Sequence, residues 1–443
     1  MERITGRLRR VPELDGVEAV NVARGLEYLG GLVFFDTAGN VPKSASRPIS
    51  VIAAAPHGLY TGSVQSDGDL ETLGRILAEN ACEGGDLGLP CGGLCGWVSY
   101  EGDFVFGDYR EMLVRDEASG EWWERGGLSE KIREVAAGRL EIGDFRGEME
   151  RGKFLEAVGR VKEWISAGDV YQVNLAHSFS TEVSGDGTLF PLYEILREAS
   201  PAPMASYLVL DGKEVLSTSP ELFLKISGRG IETRPIKGTR PRFYDVDEDR
   251  RSAVELQTSA KEVAELVMIT DLLRNDFGQV CEFGSVEVTE MLQLESLAQV
   301  HHLVSTVRGT LRRNENALSA LAACFPGGSI TGAPKKRAME IIAELEGKPR
   351  GIYCGAMGWL GFNGESQFNI AIRTLIRDAG KLSYRVGAGI VADSDAEEEY
   401  EETMQKGQGI RLGVERFKSG ISNLKTQMSL PPGVCTYSEN PKI

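Results

Sequence analysis

The period of hydrophobic and polar positions changes repeatedly along this chain, and the changes predict a mixed fold. Phe154, Val158, Val161 and Ile165 recur every three or four residues up to Gly168, the spacing of an amphipathic helix with a glycine stop. Val170-Tyr171-Gln172-Val173-Asn174-Leu175 then alternates as a strand does. Before residue 125, short apolar runs such as 31–35 and 49–55 are separated by Gly, Pro, Asp and Ser, which predicts a β-rich region. Further strands are expected over 206–210, 222–226, 355–362, 368–376 and 381–391. Helices are expected over 259–273, from Pro334 in a favoured first-turn position to Gly347, and from about Ala396. The polar stretch 125–148 reads as a linker or surface loop. The expected organisation is an N-terminal β-rich region over 1–147, a larger region over 148–412, and a poorly ordered polar tail over 413–443.

Composition narrows the function classes. The 443 residues suffice for two or three average domains. A net charge of -16 argues against nucleic-acid binding, which needs a basic face to neutralise phosphates. Seven scattered cysteines suit reduced thiols in a reducing compartment, and a cytoplasmic location is expected. Cys91 and Cys95 have no nearby histidine or second cysteine pair, so no zinc site is expected. No run approaches the roughly 20 apolar residues of a membrane span. The charged stretch Met1 to Arg10 lacks the apolar core of a secretory signal.

Candidate chemistry begins at Arg234-Pro235-Ile236-Lys237-Gly238-Thr239-Arg240-Pro241-Arg242, where one amine stands among three guanidinium groups. Lysine is a poor nucleophile while protonated: from a reference pKa of about 10.4, roughly one part in 2,500 is free amine at pH 7. Cationic neighbours and desolvation would lower that pKa and make Lys237 a nucleophile, whereas in a solvated hairpin it stays an ordinary surface lysine. Glu262 and Glu265, and Glu399 and Glu402, are two pairs at the i, i+3 spacing that shares a helix face. Four carboxylates without a histidine suit a hard cation such as magnesium (Mg2+), and equally suit an exposed acidic face. Phe325 to Lys335 is a Gly-rich loop leading into a helix, a place where amides and the helix dipole attract anions. Ala333 and Pro334 stand where a nucleotide-binding loop needs Lys and Ser or Thr, so ATP binding is not expected.

Four motifs occur in order: Ser217-Thr218-Ser219-Pro220-Glu221, Pro235-Ile236-Lys237-Gly238-Thr239, Asp271-Leu272-Leu273-Arg274-Asn275-Asp276, and Phe325 through Lys335. Over about residues 150 to 410 the chain closely resembles the chorismate-utilising enzymes. The resemblance implies an α+β fold, a layered sandwich of antiparallel β-sheets flanked by helices, with substrate between the sheets and the N-terminal region interlocked with the rest. It implies Glu265 and Glu402 as direct magnesium ligands, with Glu262 and Glu399 binding directly or through water. Glu221 would protonate the departing hydroxyl, which is a poor leaving group as hydroxide. Arg373, Tyr353 and the amides of Gly387-Ala388-Gly389 would hold a substrate carboxylate, with His302 near the ring; Thr239 and Thr331 are expected in the substrate pocket. Read alone, His302 is also an ordinary buried histidine. Gln172 stands where water-using members carry a basic lysine, which points to the branch that uses ammonia. Lys237 then favours amination at C4, toward 4-aminobenzoate and folate, over amination at C2 with loss of pyruvate. A non-catalytic binder is the third possibility. With no glutaminase domain evident among the chain's motifs, ammonia implies a separate glutamine amidotransferase subunit. Because chorismate is a dicarboxylate and the chain is acidic, local cations must reverse the overall field.

Overall fold

A computed structural model describes residues 7–39, 47–82, 87–136, 138–297 and 299–420. Two antiparallel sheets pack face to face with helices outside. In the larger sheet the strands lie in the order Arg9–Arg10, Trp122–Arg125, Met112–Asp116, Ile49–Ala53, Val33–Asp36, Met204–Leu210, Lys213–Ser219, Thr374–Asp378, Lys381–Ile390, Gln172–Gly185 and Arg146–Gly147. The smaller sheet runs from Ile236–Pro241 through Val300–Thr310, Gly230–Arg234, Leu222–Ser227, Ser366–Ile370, Ala356–Gly361, Gly93–Val98 and Asp103–Tyr109 to Leu59–Ser63. Strands from before residue 147 are therefore built into both sheets. Apolar side chains of the two sheets meet between them. Phe35 of the larger sheet packs on Trp359 of the smaller with ring centres 5.2 Å apart. Val173 and Ile390 share one core with Phe106, Phe223 and Phe368.

Local signals place most elements. The helix Arg151–Ala167 buries Phe154, Val158 and Val161 and ends at Gly168, whose φ of 83° explains the glycine. Ser259 caps the Ala260–Gly278 helix by accepting from the Glu262 N–H, and Asp395 caps the acidic Ala396–Lys406 helix. Pro334 proves to be the N-cap of the Lys335–Glu346 helix, just outside the first-turn position expected for it. The expected loop at 125–148 contains the short strands Leu140–Ile142 and Arg146–Gly147, which pair with Gln172–Gly185. The stretch expected as a disordered tail begins inside the helix Gln408–Lys418, whose apolar face packs on the Phe190–Ala199 helix; residues 421–443 lie outside the described residues.

The single strand expected over 368–376 is two strands in different sheets. Ser366–Ile370 belongs to the smaller sheet and Thr374–Asp378 to the larger, and the chain crosses between them at Ala371 to Arg373. Arg373 makes this turn with φ at 50°, a conformation uncommon for a residue with a Cβ. The alternation of 368–373 lapses at Thr374-Leu375-Ile376, but no Gly or Pro marks the crossing.

Two of the four motifs are joined by a buried ion pair. Lys335 donates to Asp276 at 2.7 Å and to the Cys324 carbonyl at 3.1 Å. Burial pushes the Asp276 carboxyl up to about 6 against the pull of Lys335. Removing one partner strands the other in a low-dielectric site. Asp276→Ala is therefore expected to cost about 3 kcal/mol of stability, and Asp276→Leu combined with Lys335→Met much less. Urea unfolding of the variants measures this, and a single variant as stable as the parent would contradict it.

Candidate active site

A cleft of about 800 Å³ opens between the two sheets. Glu221, Lys237, Thr239, His302, Tyr353, Arg373 and Gly387 all line it, although they come from segments 166 residues apart in the chain. A larger, more polar cleft adjoins it through Thr239, Arg373 and Lys406 and includes Glu262 and Glu402.

Lys237 sits on the edge strand Ile236–Pro241, where pairing with Val300–Thr310 shifts register between Lys237 and Thr239. Its amine meets Glu265 at 2.7 Å and donates to the Ser329 carbonyl at 3.2 Å. The guanidinium groups expected to depress its pKa point elsewhere: Arg234 pairs with Glu295, Arg242 with Asp249 at 2.8 Å, and Arg240 lies 3.7 Å from Glu262. Burial works against the ammonium, but Glu265 outweighs it and holds the Lys237 pKa above its ordinary value. The expected direction was therefore wrong. Neighbours in sequence on a strand alternate between faces, and here they find separate carboxylates across space.

Glu221 follows the Lys213–Ser219 strand and is buried. Burial pushes its carboxyl up to about 7, moderated by a hydrogen bond with Ser329 and by the charge of Lys237. Ser329 thus touches both groups, accepting from Lys237 through its carbonyl. His302 Nδ1 donates to the Gly238 carbonyl at 3.2 Å and lies 3.1 Å from Thr239 Oγ1. The carbonyl can only accept, so Nδ1 carries the proton. Nε2 has no partner among the described residues, and burial pushes the His302 pKa down to about 4, leaving the ring neutral.

The carboxylates separate into two sets. Glu265 is held by Lys237 and by the Gln172 amide, and Glu402 by Lys406 at 2.7 Å. Burial, then the charge of Glu265, raises the Glu262 pKa, and Glu402 adds to the effect. Glu399 lines neither cleft: it is buried, and accepts from Lys261 at 2.8 Å and Ser394 at 2.6 Å. Among the described residues no three acidic, histidine or cysteine side chains form a cage for a metal on their own. Glu265, Glu262 and Glu402 nevertheless offer oxygen donors whose mutual repulsion a cation would relieve, which suits an ion that takes most of its ligands from water and substrate.

Arg373 lines both clefts and makes no ion pair among the described residues; burial alone lowers its pKa. Tyr353 is buried and lines the first cleft with it. Gly387 and Gly389 lie on the cleft side of the Lys381–Ile390 strand. A Cβ on Gly387 would come within 2.8 Å of Asn174 Oδ1, and one on Gly389 within 2.7 Å of Glu265 Oε1. Ala388 points the other way, into the apolar cluster that holds Leu175 and Phe154 of the Arg151–Ala167 helix. Thr331 is also turned inward, with Oγ1 3.3 Å from the Gly327 and Gly328 carbonyls. The glycine-rich loop does not present a helix N-terminus to the cleft, because Gly332–Ala333 forms a two-residue strand against Gln172 and Val173 before the helix begins. Asn174, Ser329, Arg385 and Lys406 also line the cleft and were not singled out from sequence. Lys406 had a signal, its i, i+4 spacing from Glu402, and Ser329 lay within the glycine-rich motif; Asn174 and Arg385 had none.

This arrangement places a carboxyl whose pKa burial raises to about 7, a lysine, a neutral imidazole and a guanidinium without an ion pair among the described residues around one cavity. The chorismate binding enzyme family matches residues 93–411. Anthranilate synthase component 1 of Thermus thermophilus is 44% identical over 348 residues, 76% of this chain and 74% of that protein. Aminodeoxychorismate synthase component 1 of Escherichia coli is 47% identical over 263 residues, 59% of this chain and 58% of that protein. The crystal structure of anthranilate synthase component I from Streptococcus pneumoniae superposes with a TM-score of 0.71 at 28% identity, covering 83% of this chain and 93% of that one. A family match over most of the length, joined to this cleft, means that the chain belongs to the chorismate binding enzymes.

Proposed function

We propose that this chorismate-utilising enzyme aminates chorismate at C4, as an aminodeoxychorismate synthase component 1, for 4-aminobenzoate and folate synthesis. The observation that carries this reading is the Lys237 amine, which lines the same cleft as the proton-bearing Glu221 and is linked to it through Ser329. Lys237 adds to C2 while Glu221 protonates the C4 hydroxyl, which leaves as water. Ammonia then adds at C4 and expels the lysine, giving 4-amino-4-deoxychorismate with the side chain retained. Splitting one displacement into two covalent steps is the usual gain from a nucleophile. Arg373 and Tyr353 hold a carboxylate, and His302 presents a bare Nε2 to the ring.

Magnesium would be held by Glu265 and Glu402 with Glu262 beside them, supplying positive charge to a substrate carboxylate. A cation on Glu265 would also replace the charge that Lys237 now provides, removing what keeps the amine protonated. Ammonia would come from a glutamine amidotransferase subunit.

The second reading, anthranilate synthase component 1, is favoured by the longer reach of some relatives so named: 76% of this chain in Thermus thermophilus, against 59% for the Escherichia coli aminodeoxychorismate synthase. Purified protein with chorismate, magnesium and ammonium separates the two by product mass and pyruvate release. Anthranilate with pyruvate would refute C4 amination, and no turnover even with a glutaminase would indicate a binder.

The acid role also sets a pH dependence. Because Glu221 must carry a proton and burial places its pKa at about 7, turnover is expected to be high below that value and to fall as pH rises through it. A profile flat from pH 6 to 8.5 in the steady-state rate would contradict the assignment.

A further inference from the structure

Arg350 follows the Lys335–Glu346 helix, does not line the cleft, and has a side chain only 1% exposed. Its guanidinium takes the Glu346 carboxylate at 2.6, 3.1 and 3.2 Å, a pairing that offsets its charge. The rest of the fork reaches backbone on two other segments. Nη1 donates to the Ile330 carbonyl at 3.0 Å and Nη2 to the Asn174 carbonyl at 2.6 Å. The backbone of Arg350 is held as well: Glu101, between the strands Gly93–Val98 and Asp103–Tyr109, accepts from the Arg350 N–H at 2.7 Å and from the Gly351 N–H at 3.0 Å. The Tyr100 ring lies 4.6 Å from the guanidinium carbon.

Ile330 and Asn174 both line the cleft. Ile330 ends the short turn Gly328–Ile330, and its neighbour Ser329 accepts from the Lys237 amine and hydrogen-bonds Glu221. Beyond the turn, the Asn174 N–H donates to the Thr331 carbonyl at 2.9 Å, and Gly332–Ala333 pairs with Gln172 and Val173. Those bonds secure the chain from Thr331 onward. Arg350 extends the tie to Ile330, one residue from Ser329.

We propose that Arg350 is a positioning residue of the reaction: by bridging the Ile330 and Asn174 carbonyls it fixes Ser329, and through Ser329 the placement of the Lys237 amine against the Glu221 carboxyl. Its role rests on the reading of Lys237 and Glu221 as nucleophile and acid. A lysine at 350 keeps a charge for Glu346, but a single ammonium does not reproduce a planar fork that spans two carbonyls. Misplacement of reacting groups by about 1 Å costs on the order of 10²-fold in rate.

Arg350→Lys tests this. With chorismate, magnesium and ammonium, kcat for chorismate consumption is expected to fall about 10- to 100-fold while KM stays within about threefold. In the full chain without substrate, amide hydrogen exchange read by mass spectrometry should quicken over residues 327–333 and match the parent in the distant strands of both sheets. A purely structural role would instead quicken exchange throughout and leave the rate per folded molecule unchanged. That result overturns the proposal, as does a kcat equal to the parent's. Should Arg350→Lys not fold, Glu101→Ala, at an exposed position, removes the acceptor that holds the Arg350 backbone. The same pattern is expected on a smaller scale, and parent values of both kcat and exchange overturn the proposal. A parent that consumes no chorismate sinks the functional reading; exchange then decides the bridge by itself, and parent-like protection over 327–333 in Arg350→Lys overturns it.

Discussion

Lys237→Ala is expected to abolish the covalent intermediate and to lower formation of the C4-aminated product by about 10²-fold or more, the scale on which removal of a nucleophile is felt. In the parent the tethered species would appear as a mass increase on the peptide carrying Lys237 when turnover is quenched in acid. The variant should show none. The substitution also frees Glu265 from its 2.7 Å contact, leaving a buried carboxylate with only the Gln172 amide. Weaker magnesium dependence in the variant would not explain the loss, because removing a competing cation leaves Glu265 more available to a metal. Unchanged C4 amination in Lys237→Ala, or its replacement by anthranilate at a comparable rate in the parent, would remove the nucleophile from the mechanism.

Glu221→Gln is expected to lose about 10² to 10⁴ in turnover, the usual worth of a positioned general acid. The amide keeps the shape and the contact with Ser329 but cannot deliver a proton. Two readouts separate this role from a structural one. The fall in rate through pH 7 should vanish with the carboxyl that causes it. Chorismate affinity should stay close to that of the parent, since Arg373 and Tyr353, the cleft residues proposed to hold a carboxylate, are untouched. A variant that turns over as fast as the parent, or whose rate still falls through pH 7, would assign the proton to another group.

Much of the architecture was legible as a pattern of residues. Helix periodicity and a glycine stop predicted Arg151–Ala167, and the acidic i, i+3 pairs lay on helices as their spacing suggested. Those signals are local: a 3.6-residue repeat or a capping side chain acts within a turn or two of itself. Three of the four ordered motifs also supplied residues that gather in the cleft, and the four together pointed to the family. Local pattern misled at Arg373, where the chain changes sheets with no Gly or Pro to mark the turn. Nothing in the order of side chains distinguishes one strand of nine residues from two short strands joined by a turn at positive φ.

The electrostatic state of the site was not legible in that way. Three arginines flank Lys237 in sequence, yet in space each faces a different acidic partner and the amine faces Glu265, so the sign of its pKa shift reversed. Asp276 and Lys335 looked like members of separate motifs and are each other's partners. Arg373 has no ion pair among the described residues, while Glu399, one of four equivalent-looking glutamates, is turned away and satisfied. From the chain alone came the alphabet of the chemistry, its family and the regular elements, because periodicity and capping are properties of neighbouring residues. Which charge meets which, and what burial does to a proton, awaited the packing of two sheets, because Coulomb interactions and desolvation depend on distance through space and on excluded water.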